Sequence, residues 1–184
     1  MSAHRFIYML AGILLLLSCG SDNNAPIDDP GNTTNHYLQL QPNGLNAIKV
    51  SCTEENFVFP FQIKAVGNGS NQGGEAQINS WSEDELKAYN NKEKTSYVLL
   101  PSSLYSLTST EVSFKEGIST MDVEVKFNPS KVFAEFREKT VEYVIALKLS
   151  SDKIQVRDSQ SRILLSISFD YPTVGLAASA AEVS

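Results

Sequence analysis

The chain has 184 residues, with 15 basic and 21 acidic side chains and a formal net charge of −6. Phosphate-binding surfaces need clustered Lys and Arg, whereas the basic residues here alternate with Glu and Asp, which excludes nucleic acid as a partner. Two histidines, His4 and His36, and two cysteines, Cys19 and Cys52, are too few for a zinc site of three or four close ligands or for a disulfide framework.

The chain opens with His4 and Arg5 and then the apolar run Phe6 to Leu17, a charged start and short hydrophobic segment of the kind that directs secretion. The run is shorter than the roughly 20 residues that a bilayer core of ~30 Å requires of a spanning helix. Leu16, Leu17, Ser18 and Cys19 follow. This stretch resembles the lipobox of bacterial lipoproteins, although Leu17 is larger than the residue usual at its place. The resemblance implies that residues 1–18 are a signal peptide, cleaved ahead of Cys19, and that Cys19 is lipidated and fixes the protein to a membrane. Several acyl chains on one cysteine anchor stably, since each buried CH₂ adds ~0.8 kcal/mol and a single chain is marginal. Cleavage removes one of the 15 basic residues and none of the 21 acidic ones, so the mature balance is −7.

Residues 19–35 are rich in Asn, Asp, Gly and Pro, with Ile27 as the one large apolar side chain. They read as a flexible tether reaching ~20 to 25 Å. Asp22, Asp28 and Asp29 in this tether bear on orientation, because surface export of such lipoproteins is associated with acidic residues soon after the lipidated cysteine. A cell-surface placement is favoured, and a periplasm-facing one stays open.

From His36 the hydrophobic period becomes two, which predicts half-buried strands. Ile48, Val50 and Cys52 form one inward row, and Phe57, Phe59, Phe61, Ile63 and Ala65 form a longer one. Val112 and Phe114, Met121 to Phe127, Tyr143 to Leu149 and Ile163 to Phe169 repeat the alternation, and His36 to Gln41 and Thr95 to Leu99 add further segments. Turn chemistry separates them at Gly67-Asn68-Gly69-Ser70, Gly73-Gly74, Lys115-Glu116-Gly117, Asn128-Pro129 and Ser150-Ser151-Asp152. The prediction is an all-β fold, two packed antiparallel sheets of about eight strands. One short helix interrupts them, opened by a capping box at Ser82-Glu83-Asp84-Glu85 and ended by Asn90-Asn91. The β-sandwich domain is placed at 36–172 and a small-residue tail at 173–184. A domain of about 135 residues buries roughly two thirds of its unfolded surface and folds without staples.

The stretches Tyr89-Asn90, Thr95 through Leu107, Val112 through Gly117, Val123-Glu124-Val125 and Tyr143 through Leu149 together resemble domain of unknown function 1735. That family is an Ig-like module at the N-termini of surface lipoproteins in gut glycan-foraging Gram-negative bacteria. The resemblance implies an Ig-like antiparallel β-sandwich on the outer membrane, in a polysaccharide-utilisation setting where such modules precede glycan-binding or endoglycosidase domains. Two departures stand out: only Asp170 to Ser184 follow the last predicted strand, and Tyr143-Val144-Ile145-Ala146 stands where the family often has Tyr-Val-Leu-Pro.

No constellation for catalysis emerges, so the chain is read as a non-enzyme without a cofactor or metal. His36 sits at the tether's end, a poor place for a base that must be fixed and partly enclosed. The acid runs Asp28-Asp29, Glu54-Glu55 and Glu83-Asp84-Glu85 suit solvated strand faces and a helix N-terminus, since adjacency on a strand sends neighbours to opposite faces. Cys52 is in phase with Ile48 and Val50 and is read as buried and inert. For ligand binding, Trp81 is the single tryptophan, with Asn79 and Asn90 as neighbouring amides that could meet sugar hydroxyls beside an aromatic platform. The competing reading makes Trp81 a staple that packs the helix onto the sandwich. Tyr105 and Tyr143 read as core or corner tyrosines.

Two functions follow as expectations. The first is an accessory module that binds or presents glycan or docks a neighbouring outer-membrane transport protein. The second is a spacer or subunit of an envelope or adhesive assembly, completed at a strand edge by another chain. The lipobox reading predicts that the mature protein partitions with membranes and that Cys19→Ala is released as soluble protein or left unprocessed. Metabolic acyl labelling with membrane fractionation checks this, and an acylated, membrane-bound Cys19→Ala protein would overturn it.

Overall fold

A computed structural model of the chain describes residues 36–68, 73–137 and 141–170. The first two strands come from one extended segment that changes sheets. Strand β1, Tyr37–Gln41, buries Leu38 and Leu40 completely, and β2, Gly44–Ser51, buries Val50. Between them Pro42 offers no N–H to a ladder, and Gly44 takes φ +71°, a left-handed value that costs glycine little. The remaining elements are β3, Phe57–Val66; β4, Gly74–Ser80; helix α1, Glu83–Glu93; β5, Val98–Leu99; β6, Tyr105–Leu107; β7, Glu111–Phe114; β8, Thr120–Phe127; helix α2, Pro129–Phe136; β9, Tyr143–Ser150; β10, Gln155–Val156; and β11, Arg162–Asp170.

The strands form two sheets. One has the order β10-β1-β3-β8-β6, and the other β2-β11-β9-β4-β7 with β5 also on β9. Their inner faces share one core, in which Leu40, Phe61, Ile63, Val123 and Val125 of the first sheet meet Ile78, Ile145, Leu147, Ile163 and Leu165 of the second. The arrangement is a loose sandwich with open edges. The rows expected from the period-two pattern are largely the buried ones, since each strand with one wet face must alternate. Phe57, Phe59, Ile48 and Met121 are only partly buried against that core.

The sandwich departs from the sequence expectation in three respects. Eleven strands are present among the described residues, three more than the eight expected, because β4, the three-residue β6 and the two-residue β10 fall in stretches without the alternating apolar row. Among the described residues three pairings are parallel: β1 with β10, β2 with β11 and β5 with β9. The β2–β11 ladder is long, running from Ile163↔Gly44 to Asp170↔Ser51.

The third departure is a second α-helix. Asn128-Pro129, read from sequence as a turn, starts α2: the Asn128 side chain accepts from the Lys131 N–H at 2.9 Å, and Pro129 occupies the first turn, where a missing N–H costs nothing. Val132 and Phe136, one helical turn apart, then enter the core. The first helix starts at the expected capping box on Ser82 but runs on to Glu93, past Asn90-Asn91.

These positions give opposite responses to charge. Val125 is 0 % exposed, so Val125→Asp should unfold the domain, an unpaired core charge costing several kcal/mol against a total of ~5 to 15. Lys126 on the opposite face pairs with Glu124 at 2.8 Å in solvent, and Lys126→Ser should change stability by less than about 1 kcal/mol. Urea titration followed by circular dichroism checks both, and equal tolerance at the two positions would reject the strand phase.

Candidate functional site

The outer face of β9 is apolar as well as its inner one. Val144 and Ala146 point outward and are 0 % and 1 % exposed. With Leu164 of β11 they form a second small core, covered by Trp81 and by Leu86 of α1, with Tyr89, Tyr97 and Leu99 packed at its margin. The cover is built by an excursion. Strand β4 runs antiparallel to β9 as far as Ser80↔Leu147, and the Trp81 N–H then donates to the Ala146 carbonyl at 3.0 Å. The chain turns into α1 and returns as β5 to the other half of β9, with Val98↔Tyr143 and Leu99↔Val144.

Local chemistry fixes each end of α1. At its start the Ser82 hydroxyl accepts from the Glu85 N–H at 3.3 Å while the Glu85 carboxylate accepts from the Ser82 N–H at 2.8 Å, the reciprocal capping box. The same carboxylate accepts from Lys148 Nζ of β9 at 2.7 Å, tying the helix to the sheet. At its end Lys94 adopts the left-handed conformation at φ 60° and donates its N–H to the Asn90 carbonyl. The Asn90 amide then holds the return loop: Nδ2 donates to the Tyr97 carbonyl at 2.8 Å, and Oδ1 accepts from the Thr95 hydroxyl at 2.8 Å and the Tyr97 N–H at 3.2 Å.

Beside this cover lies a groove of about 360 Å³. Glu85, Ala88, Tyr89 and Lys92 form one wall, residues whose three- and four-residue spacings place them along one side of the helix. The buried Trp81 and Leu164 also line it, with Gly44 and Leu45 at the start of β2 and with Asp158, Ser159 and Arg162. Leu45 is 49 % exposed. The aromatic rings run in series, Trp81 edge-on to Tyr89 at 5.6 Å between centroids and Tyr89 stacked on Tyr97 at 6.4 Å. Burial pushes the Tyr89 and Tyr97 phenols up from their ordinary value, with Glu93 adding to the effect on Tyr89 and Glu142 on Tyr97. Both therefore stay neutral hydrogen-bonding groups at physiological pH.

The residues singled out in the sequence fall apart in this geometry. Trp81 is 4 % exposed, and its indole N–H donates to the Leu147 carbonyl at 3.1 Å. It is the staple of the second core, so an exposed Trp81 platform is corrected. Both ends of the Asn90 amide are engaged within the fold, and Asn90 lies outside the groove lining. Asn79 is exposed on β4 and donates to the Ser150 hydroxyl at 3.1 Å, likewise outside the lining. Cys19 lies outside the described residues. Cys52 is a buried free thiol. Tyr105 bonds through its hydroxyl to Ser80 at 2.7 Å, and Tyr143 packs its ring 4.1 Å from that of Phe136. His36 has a buried Nε2. No cluster of three or more metal-ligating side chains occurs among the described residues. Sequence reasoning missed Leu45, Asp158 and Arg162. Arg162 was within reach, because Ile163 is inward and its predecessor must point out, but nothing local says that α1 lies beside it.

The family model described as "-like, N-terminal domain" matches residues 29–156, and the chain belongs to that family of N-terminal domains. No curated protein matches it. Among solved structures it is similar to a candidate carbohydrate-binding protein from Bacteroides ovatus, at a TM-score of 0.60 and 15% identity over 72% of this chain and 36% of that one. It is also similar to EndoBT-3987 from Bacteroides thetaiotamicron, solved with its Man5GlcNAc product, at a TM-score of 0.54 and 17% identity over 72% of this chain and 31% of that one. A two-domain protein with unknown function from Bacteroides fragilis gives a TM-score of 0.53 and 12% identity, over 77% of this chain and 47% of that one. Identities this low establish a shared fold. The matched region is less than half of each of these chains.

The Glu85 contacts give a pH dependence. The Lys148 hydrogen bond, followed by the Ser82 backbone N–H, holds the Glu85 carboxyl below its ordinary 4.5. A depressed acid contributes stability that is complete above the unfolded value and is lost as pH falls through the folded one. The pair is about one third exposed, and solvent screening limits its contribution to less than about 1 kcal/mol. Glu85→Gln should therefore lower the urea midpoint at neutral pH and converge with the wild type as pH falls through the depressed Glu85 value. A constant difference between the two down to acid would reject the assignment.

Proposed function

We propose that this chain is a non-catalytic accessory module of a polysaccharide-utilisation system, an Ig-like sandwich of the domain of unknown function 1735 type. In this reading residues 1–18 are its signal peptide, Cys19 its lipid anchor, 19–35 its tether, 36–172 its working domain and 173–184 a tail. It stands on the cell-surface side of an outer membrane. Family membership as an N-terminal domain supports the accessory role, and the B. ovatus and B. thetaiotamicron relatives put the same fold in proteins described by carbohydrate binding and by a glycan product.

The groove beside α1 is the observation that carries glycan binding. Its Leu45 and Tyr89 offer apolar surface for the carbon face of a sugar ring, and Asp158, Ser159, Lys92 and Arg162 offer donors and acceptors for hydroxyls around it. Trp81 acts in this reading by holding the floor in place, and Asn79 and Asn90 by bracing β4 and the return loop. Binding is weak, because one shallow apolar contact offsets little of the ordering of a flexible glycan.

The alternative, a subunit of an envelope assembly, draws support from β2, an eight-residue strand at the end of its sheet where another chain could add a strand. A polysaccharide array followed by calorimetry on the full chain separates the two. Glycan binding predicts a positive array whose signal falls several-fold in Ala88→Met, a helix-compatible change that fills the groove from an exposed position. A blank array with an envelope protein recovered by crosslinking would replace this reading with the assembly one, and binding indifferent to Ala88→Met would move the site elsewhere.

A further inference from the structure

The charges lining the groove divide into two kinds. Glu85 is satisfied by Ser82 and Lys148, and Lys92 pairs with Glu93 at 3.0 Å. Asp158 and Arg162 form no ion pair with any described residue, nor with each other, although both line the groove. One strong acceptor and one strong donor of the groove lining are therefore left without an ion-pair partner.

Arg162 has a defined seat. Its guanidinium carbon lies 5.2 Å from the centroid of the Trp81 ring, within the range of a cation–π contact. The ring is itself fixed by its bond to the Leu147 carbonyl, so the planar fork is partly ordered before any ligand arrives. Such a fork matches a carboxylate, which it can hold through two parallel N–H···O bonds; a hydroxyl engages only part of it. Asp158, when ionised, is an acceptor only, and it meets ligand hydroxyls rather than a second anion.

We propose that the groove takes a carboxylated sugar, a uronic-acid type of unit, with its carboxylate on Arg162, its hydroxyls on Asp158 and Ser159, and its carbon face toward Leu45 and Tyr89. This rests on the glycan-binding reading above and narrows its ligand class. A neutral sugar engages only part of the guanidinium fork through its hydroxyls. A densely anionic ligand such as a sulfated chain brings negative charge against Asp158. A single planar carboxylate flanked by hydroxyls satisfies both side chains at once.

The test is calorimetry on the full chain with an oligogalacturonate, the same oligosaccharide with its carboxyls reduced to alcohols, and a sulfated dextran. The proposal expects the oligogalacturonate to bind, with carboxyl reduction and Arg162→Gln each weakening binding about tenfold or more and Arg162→Lys recovering part of the loss. Affinity for the oligogalacturonate should also fall as salt is raised. Thermal melting shows whether Arg162→Gln keeps the fold. If it does not, the carboxylated and reduced ligands compared on the wild-type protein decide the matter alone. Equal affinity for those two ligands, or tighter binding of the sulfated dextran, would overturn the carboxylate inference and leave the glycan reading standing. Absence of binding to every polysaccharide on the array would remove both.

Discussion

Strand β9 must be covered on both faces. Its inward side chains Ile145 and Leu147 are sealed by the opposing sheet, and the outward pair Val144 and Ala146 is equally apolar and equally buried. A sheet exposed to water on one side cannot carry such a strand at its centre. Helix α1 and Trp81 answer that requirement, and much of what distinguishes this sandwich follows from it. The chain has to leave the sheet after Ser80, cross the outer face and return, and the capping box, the Glu85–Lys148 tie and the Asn90 hub are the local means of doing so.

The groove is a by-product of the same requirement. A helix laid on a sheet leaves a furrow along its flank, and this one is bounded by the start of β2 and the start of β11. Its floor is rigid because Trp81 and Leu164 belong to the second core, while its rim is charged because Arg162 and Asp158 have no ion-pair partner among the described residues. Rigid floor and unspent polar rim are the features expected of a recognition surface mounted on a scaffold.

How much of this could be read from the sequence varied with the range of the interactions. Alternation in Phe57–Ala65 and Met121–Phe127 places side chains by a period of two, a local rule, and the inward residues are where that rule puts them. The capping box at Ser82 is equally local and equally visible. In β9, Tyr143-Val144-Ile145-Ala146-Leu147 is apolar without a break, and a period-two reading of it finds the inward row while missing that the outward row is buried too. The unbroken run was itself a sign of burial on two faces. Asn128-Pro129 fits a turn and a helix start alike, and only Val132 and Phe136 downstream decide between them. Trp81 misled for a different reason: a tryptophan beside polar residues has the same local signature whether its ring faces solvent or a patch of apolar strand brought near by pairing with β9, some 65 residues further along the chain. The parallel pairs of β1 and β2 depend on such distant partners as well, and no local pattern announces them.

The excursion that carries α1 begins and ends on a single strand: Trp81 hands its N–H to Ala146, and Val98 and Leu100 hand theirs to Glu142 and Val144. The sheet thus presets the anchor points of whatever lies between. Closing a longer connection across fixed anchors costs little, about 0.6 kcal/mol for each doubling of its length. The segment behaves as an exchangeable cassette, one whose length and surface chemistry can drift while the ladders on either side keep their register. It must always deliver an apolar lid to Val144 and Ala146, and its outer residues are free to change. A family built on this plan can alter the chemistry of that face by rewriting a dozen or so residues, without renegotiating the sandwich beneath.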